Sequence, residues 1–381
     1  MDFSLSEEQV MIRNMARQFA REMEPEALEA EEKSEFSHAI TKRMAENGFL
    51  GMVVPEEYGG MGSDYTSYLL VIEEIARASM SQSMVVGLHN SLLAYPLLVY
   101  GTEAQKKKYL RGLATGDMLG CYSLSEPNAG SDAGGIATTA VKTDDGYVIN
   151  GSKIFSTNGS VADFLILFAK TDPDLGYKGM SALLVDTDTP GFAVGKIEKK
   201  MGILASPTCE LSFTDVKVPH EALLGEEGKG IRIALETLDG GRVSVAATGV
   251  AMGEEAFDLA VKYAKERNQF GHPIADFQGI QWKLADMRTE IDAARYLTYY
   301  AAWRKDQGLA YTREASQAKL FATEMASRCI HSSMQIHGGY GFMKEYKIEQ
   351  LYRDCKAAEL YEGTSEIQRT VIGRAVLKDK S

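Results

Sequence analysis

Phe164-Leu165-Ile166-Leu167-Phe168 is an uninterrupted apolar run, and around it the period of the chain changes. Ser181-Ala182-Leu183-Leu184-Val185 and Leu211-Ser212-Phe213-Thr214-Asp215-Val216-Lys217-Val218 are further short runs of β character. Gly and Asp clusters bound them, as in Asp144-Asp145-Gly146 and Pro190-Gly191. Short strands at this spacing predict a small antiparallel barrel or sandwich over residues 118–230 rather than alternating βαβ units. No Gly-x-Gly-x-x-Gly follows a strand, so a nicotinamide-type dinucleotide site has no support.

On both sides of this region the spacing is helical. Upstream, Ser6 and Gln9 have capping-box spacing, and Ile12, Met15 and Phe19 follow at helical intervals. Helices are expected over 40–47, 65–77, 85–98 and 103–114, the last starting at Gly101-Thr102-Glu103-Ala104-Gln105. Pro55, Gly59, Gly60 and Gly62 mark a turn between the second and third. Downstream, Val250, Phe257, Val261 and Ala264 share one helix face, Ile280, Leu284, Met287 and Ile291 a second, and Phe321, Met325 and Cys329 a third. These spacings imply a bundle, which Gly338-Gly339-Tyr340-Gly341-Phe342 interrupts. The expected class is α+β: an N-terminal helical domain (1–117), a middle antiparallel β-domain (118–230) and a C-terminal helical bundle (231–381).

A chain of 381 residues can bury two or three cores, and 45% apolar with 25% charged residues is a globular composition. A formal charge of −12 with no basic stripe argues against nucleic acid as a main partner. Cys121, Cys209, Cys329 and Cys355 are scattered, with no Cys-x-x-Cys pair and no His at metal spacing, so neither a disulfide framework nor a zinc site is expected. Met1-Asp2-Phe3-Ser4 leads into an amphipathic helix without a signal-like apolar region, and no run of eighteen apolar residues occurs. A cytoplasmic location is the simplest expectation, and a processed organellar protein would look the same.

The chemistry concentrates near the end, in Leu360-Tyr361-Glu362-Gly363-Thr364-Ser365-Glu366-Ile367-Gln368. An acid among apolar and aromatic neighbours is partly desolvated, which raises its pKa toward the range of a general base. The following glycine lets another molecule approach the backbone. Glu before Gly is also common at helix ends, so the stretch gains weight only from its company. Cys121-Tyr122-Ser123-Leu124-Ser125-Glu126-Pro127-Asn128-Ala129-Gly130-Ser131-Asp132 carries a small residue, Gly130, and a hydroxyl donor, Ser131, suited to close approach of a phosphate. Lys153-Ile154-Phe155-Ser156-Thr157-Asn158-Gly159, Arg267-Asn268-Gln269-Phe270-Gly271 with Gln278, Gln335-Ile336-His337-Gly338-Gly339 and Leu238-Asp239-Gly240-Gly241-Arg242 complete the set.

Together these segments make the whole chain resemble the acyl-CoA dehydrogenase family of flavoproteins. The resemblance implies FAD as cofactor and Glu362 as the catalytic base. It places Tyr122, Leu124 and Ser125 along the flavin, Gly130 and Ser131 near the pyrophosphate and the CoA arm, Phe155 over the ring and Thr157 near N5. Arg267, Phe270 and Gln278, with Gln335, Gly338 and Gly339, would receive the diphosphate and adenosine half, often across a subunit interface. Thr364 and Glu366 fall near the adenine half. Asp239 and Arg242 match residues that contact CoA, while Tyr361 and Gly363 sit beside the substrate. A minority of the family carries its acid at the position here held by Gly241, which cannot abstract a proton. Where an apolar residue is the family pattern, this chain has His337.

By the same resemblance, Glu362 takes the α-proton of an acyl-CoA while the β-hydride passes to flavin N5, giving a trans-2-enoyl-CoA. Donors around the thioester carbonyl would stabilise the developing enolate. An electron-transfer flavoprotein would be the redox partner, and a homotetramer the assembly. Leu88-His89-Asn90-Ser91-Leu92-Leu93-Ala94-Tyr95-Pro96 is similar to short-chain and butyryl-type members, with Tyr95 equally a candidate pocket floor or a core aromatic. Ser83 stands where glutaryl-type members have arginine, which disfavours a dicarboxylic substrate. Short or compact branched, cyclic or aromatic acyl groups stay open, as does the physiological direction. Two alternatives remain: an oxygen-consuming acyl-CoA oxidase type, and a non-catalytic scaffold. The presence of Glu362, Arg267 and Gln278 argues against the second.

Overall fold

The structure, a computed structural model, describes residues 4–378; Met1-Asp2-Phe3, ahead of the expected amphipathic helix, lie outside the described residues. Helix α1 (Glu7–Lys33) opens on Ser6, whose side chain accepts from the Gln9 N–H while the Gln9 side chain returns to the Ser6 backbone. This is the capping box expected from the sequence. Ile12, Ala16, Phe19, Ala20, Met23 and Ala27 are its buried stripe. After α2 (His38–Glu46), α3 (Tyr65–Ala78) is buried on nearly every side, as befits a central core helix.

The next helix is continuous but not uniform. Its first part, α4 (Met80–Gly87), passes through a π-helical segment, Leu88–Ala94, into α5 (Tyr95–Tyr100). Pro96 has no N–H to offer the carbonyl four residues earlier, which disfavours regular α geometry there. Among the described residues, Met80–Tyr100 is the one helix long and apolar enough to cross a membrane by length and composition, yet 67% of its window is buried inside the protein. Helix α6 (Glu103–Thr115) opens on a second capping box, Thr102 with Gln105. The Gln105 amide also donates to the carbonyls of Glu221 and Leu223, tying the helical third to the sheet.

The middle region is one eight-stranded sheet: β1 (Gly120–Ser123), β2 (Thr139–Thr143), β3 (Gly146–Thr157), β4 (Phe164–Lys170), β5 (Met180–Asp186), β6 (Phe192–Ile197), β7 (Thr208–Pro219) and β8 (Leu223–Leu224). The order is β6-β7-β3-β2-β4-β5-β8, with β1 added on β4. Most pairings are antiparallel as expected, but β1 runs parallel to β4 from Gly120 opposite Phe164, and β2 meets β4 in parallel at Thr139 and Lys170. The sheet is therefore mixed. Parallel neighbours lie far apart in the chain and leave no hairpin signal, so local pattern could not reveal them. The apolar run 164–168 is buried on both faces, which is why it does not alternate. Phe164, Ile166 and Phe168 join a cluster with α6 and the π-helical segment, while Leu165, Leu167 and Ala169 join the core within the sheet.

The C-terminal bundle contains α7 (Gly230–Glu266), the short hairpin β9 (Asn268–Gln269) with β10 (His272–Pro273), α8 (Gln278–Asp306), α9 (Thr312–His337), α10 (Lys347–Ala358) and α11 (Ser365–Lys378). Helices α7 and α9 approach closely; a Cβ at Gly249 would stand 2.8 Å from the Ala322 carbonyl oxygen. All four cysteines are free and buried.

One junction joins all three regions. The loop 200–206 presents the N–H groups of Ile203, Leu204 and Ala205 to two buried carboxylates. Asp354 of α10 accepts from Ile203 (2.6 Å), and Glu31 of α1 accepts from Leu204 (2.5 Å) and Ala205 (3.0 Å). Burial and the neighbouring Glu31 charge push the Asp354 carboxyl up to about 7. Its folded value thus lies above its unfolded value of 3.8, so its contribution to stability is fully present below that value and is lost as pH rises through about 7. Asp354→Asn keeps an oxygen for the Ile203 N–H and removes the charge. It is expected to match the parent protein near pH 4 and to be more stable at pH 8, by roughly 1–3 kcal/mol. Denaturant melts at the two pH values check this, and equal stabilities at pH 8 would contradict it.

Candidate active site

Glu362 lies in the reversal between α10 and α11. It has φ 54°, a left-handed conformation that costs a residue with a side chain of order 1–3 kcal/mol, and Gly363 follows at φ 92°. Three side chains hold this backbone. Lys319 Nζ donates to the carbonyls of Tyr361 (2.7 Å) and Gly363 (2.5 Å). Gln368 Nε2 donates to Glu362 O (3.2 Å) and Gly363 O (2.8 Å), and Arg242 Nε approaches Glu362 O at 3.4 Å.

The Glu362 carboxylate packs against α7. Its Oε2 is buried without a hydrogen-bond partner, and a Cβ built on Gly241 would stand 2.0 Å from that oxygen. Only a glycine there leaves room for the acid in this position. Burial pushes the carboxyl well above the ordinary range, and the charges of Lys319 and then Arg242 pull the other way without cancelling it. The buried Lys319 ammonium is pushed down for the same reason.

The acid stands on the wall of a cavity of about 620 Å³. Ile72 of α3 and Ser83, Met84, Gly87, Leu88 and Leu92 of the interrupted helix form one side. Tyr122, Leu124, Ser125, Gly130 and Ser131, from β1 and the loop after it, form another, with Phe155 and Thr157 of β3. Arg242 and Tyr361, Glu362, Gly363 and Thr364 close it from the C-terminal bundle. These sequence-predicted residues are thus brought together.

Local structure explains the Phe155 wall. Strand β3 slips register against β7 between Lys153 and Ser156, and Phe155 takes φ 54° within that bulge. Phe155 is 63% exposed. Beside it, Lys153 is fully buried and donates to Leu124 O (3.0 Å) and Glu126 Oε1 (2.8 Å). Glu126 in turn accepts from the N–H groups of Ala137 (2.6 Å) and Thr138 (3.0 Å). The Ile154 N–H donates to Ser125 O (2.9 Å), so the loop 124–126 is fastened to the strand through backbone as well as side chains. Lys153 and Glu126 lie inside the sequence motifs, but their pairing was not legible without the fold. Lys319 carried no sequence signal at all.

Other expected residues stand elsewhere. Asp239 is not on the cavity wall; it lies behind Arg242, pairing with Arg242 Nη1 (2.7 Å) and accepting from Thr312 (2.5 Å). Arg267, Phe270, Gln278, Gln335, Gly338 and Gly339 are also off the wall, on the C-terminal bundle. Arg267 there lies 5.6 Å from the Tyr340 ring, and Phe270 is 90% exposed. Glu366 is exposed in the first turn of α11. Tyr95 does not line the cavity as its floor; its ring packs over the Lys305 ammonium at 4.1 Å. His337 is a packed residue, stacked on Tyr263 (ring centroids 4.4 Å) with Nδ1 2.8 Å from Ser333 O.

Comparison with known proteins identifies the family. The acyl-CoA dehydrogenase N-terminal, middle and C-terminal domain families match residues 6–117, 121–216 and 228–377. An acyl-CoA dehydrogenase of Bacillus subtilis (strain 168) is 48% identical, covering 98% of this chain and 99% of its own. A short-chain specific acyl-CoA dehydrogenase of Clostridium acetobutylicum is 46% identical over 99% and 100%. The caffeyl-CoA reductase-Etf complex subunit CarC of Acetobacterium woodii is 46% identical over 98% and 99%.

Among solved structures, butyryl-CoA dehydrogenase of Megasphaera elsdenii superposes with a TM-score of 0.97 at 45% identity, over 99% and 100% of the two chains. A chain in the structure of the electron transferring flavoprotein of Acidaminococcus fermentans gives 0.98 at 46%, over 100% of both. The FAD complex of PigA gives 0.95 at 31%, over 99% of both. The chain belongs to the acyl-CoA dehydrogenase family. It is an enzyme of that FAD-binding class of oxidoreductases.

Proposed function

We propose that this protein interconverts an acyl-CoA thioester and its trans-2-enoyl-CoA, with Glu362 as the base that takes the α-proton. The observation that carries this is a desolvated carboxylate on the wall of the cavity that Phe155 and Thr157 also line. The wall fits FAD: Phe155 offers an uncovered aromatic face in a strained conformation, and Gly130 has nothing within 4 Å of where a Cβ would stand. When bound, FAD supplies the acceptor for the β-hydride.

The remaining roles belong to the chain. Tyr122, Leu124, Ser125, Phe155 and Thr157 hold the ring, while Gly130 and Ser131 meet the phosphates and the start of the CoA arm. Arg242, oriented by Asp239, faces CoA, and Tyr361 and Gly363 flank the acyl group. The Glu362 N–H serves as a donor to the thioester carbonyl, where negative charge develops as the α-proton leaves. The apolar side from α3 and α4 excludes water from the base.

Thr364 and Glu366 lie toward the adenine half. Arg267, Phe270, Gln278, Gln335, Gly338 and Gly339 receive the FAD of a neighbouring copy in a homotetramer. Their position away from the cavity wall supports that reading, as does the exposure of Phe270. We divide the chain at 117 and 230, and assign electron exchange to an electron-transfer flavoprotein. The relatives named for Etf complexes support that partner. We assign a short or compact acyl group as substrate, and the reducing direction is open to the same residues.

The test is anaerobic titration of the purified, FAD-loaded protein with straight, branched, cyclic and aryl acyl-CoA thioesters. Loss of oxidised-flavin absorbance with at least one short or compact thioester is expected. No bleaching across the panel would overturn the reading, and fast reoxidation in air would favour the oxidase alternative.

A further inference from the structure

Lys319 of α9 is 1% exposed, so its ammonium has been taken out of water. Such a burial costs several kcal/mol unless the charge is well partnered. Its two hydrogen bonds go to neutral carbonyls, those of Tyr361 (2.7 Å) and Gly363 (2.5 Å), on either side of Glu362. The carbonyl between them is approached by Gln368 and Arg242. Three successive carbonyls are therefore each turned toward a donor, which fixes the peptide planes around a residue in a left-handed conformation.

We propose that Lys319 is a positioning residue for the base. Its two carbonyl contacts lock the Glu362 backbone so that the carboxylate stays on the cavity wall, and its charge balances the carboxylate. This rests on Glu362 being the base, and it goes beyond that assignment by naming what holds it.

The charged and titratable groups around Glu362 bear on the test. Lys319 from α9 and Arg242 from α7 are the cations that act on it. Tyr65 and Tyr68 of α3, Tyr122 of β1 and Tyr361 beside it also sense its charge. Burial pushes all four phenols well up, so they stay neutral through the working range. Removing the Lys319 charge therefore lets Glu362 hold its proton to higher pH, and the acid limb of the rate profile moves up.

The experiment uses FAD-loaded full-length protein and the thioester that bleaches the flavin fastest. The rate of flavin reduction is measured against pH for the parent, Lys319→Met, Lys319→Arg and Glu362→Gln. For Lys319→Met the limb should rise by about one pH unit or more, and the limiting rate should fall about 10²-fold. Thioester affinity measured alongside separates a displaced carboxylate from a displaced Glu362 N–H, which shares its peptide plane with the Tyr361 carbonyl. Lys319→Arg keeps the charge and disturbs the carbonyl geometry, so its rate should fall with the limb at the parent position.

An unshifted limb in Lys319→Met at near-parent rate would overturn the proposal. Should that variant fail to fold, a shifted limb in Lys319→Arg would overturn it instead. Turnover retained by Glu362→Gln would sink the base assignment itself, which keeps the two failures distinct.

Discussion

Glu362→Gln is expected to leave a folded, yellow protein that still binds acyl-CoA and reduces its flavin about 10²–10⁴-fold more slowly, the range a positioned general base contributes. The amide nearly matches the carboxylate in volume, and the backbone contacts to Lys319, Gln368 and Arg242 run through main-chain carbonyls that the substitution leaves in place. What disappears is the group at that position able to accept the α-proton. In the parent, burial has already moved the carboxyl up from its ordinary value, so the rate should rise as pH passes from acid toward neutral. The Gln variant should lose that limb. Stopped-flow reduction under nitrogen, with FAD content and thioester affinity measured alongside, separates lost chemistry from lost binding. Near-parent rates at any pH would remove Glu362 from the role.

Gly241→Ala should damage the same step from the opposite side. The added Cβ would stand 2.0 Å from Glu362 Oε2, 2.8 Å from its Cδ and 2.9 Å from Leu92 Cδ2. Contacts that short do not occur, so the carboxylate must move by an appreciable part of an ångström. A misplacement of about 1 Å can cost about 10²-fold in rate. Alanine is the better helix former by about 1 kcal/mol, so α7 itself should be no less stable. The expected signature is a protein that melts at or above the parent temperature and turns over about 10²-fold more slowly. Parent-like turnover would mean that the acid does not occupy this space during the reaction.

Much of the architecture was legible from local pattern because it depends on local rules. Both capping boxes, Ser6 with Gln9 and Thr102 with Gln105, announce helix starts through bonds made within four residues. The change of period near residue 118 marks the sheet because side-chain alternation and burial follow directly from strand geometry. The parallel pairing of β1 with β4 was not legible, since it joins segments with no shared turn. Tyr95 shows a second kind of limit. A bulky aromatic on a pocket helix reads equally as a pocket floor or a core residue until the fold shows its ring against Lys305.

Residue order alone was enough to set out the succession of helical, β and helical regions, because short-range geometry is written locally, whereas Glu362 before Gly363 gained its weight from the resemblance that the other segments carry. That Gly241 makes room for the acid, and that Asp239 stands behind Arg242, became visible only with the chain folded. So did the buried charges from separate elements that hold backbone around the cavity: Lys319, which binds the turn that carries Glu362, and Glu31 with Asp354, which bind the loop 200–206, itself part of the lining through Met201, Gly202 and Ile203. Those effects depend on distance and on exclusion of water, and neither exists until the three regions have packed together.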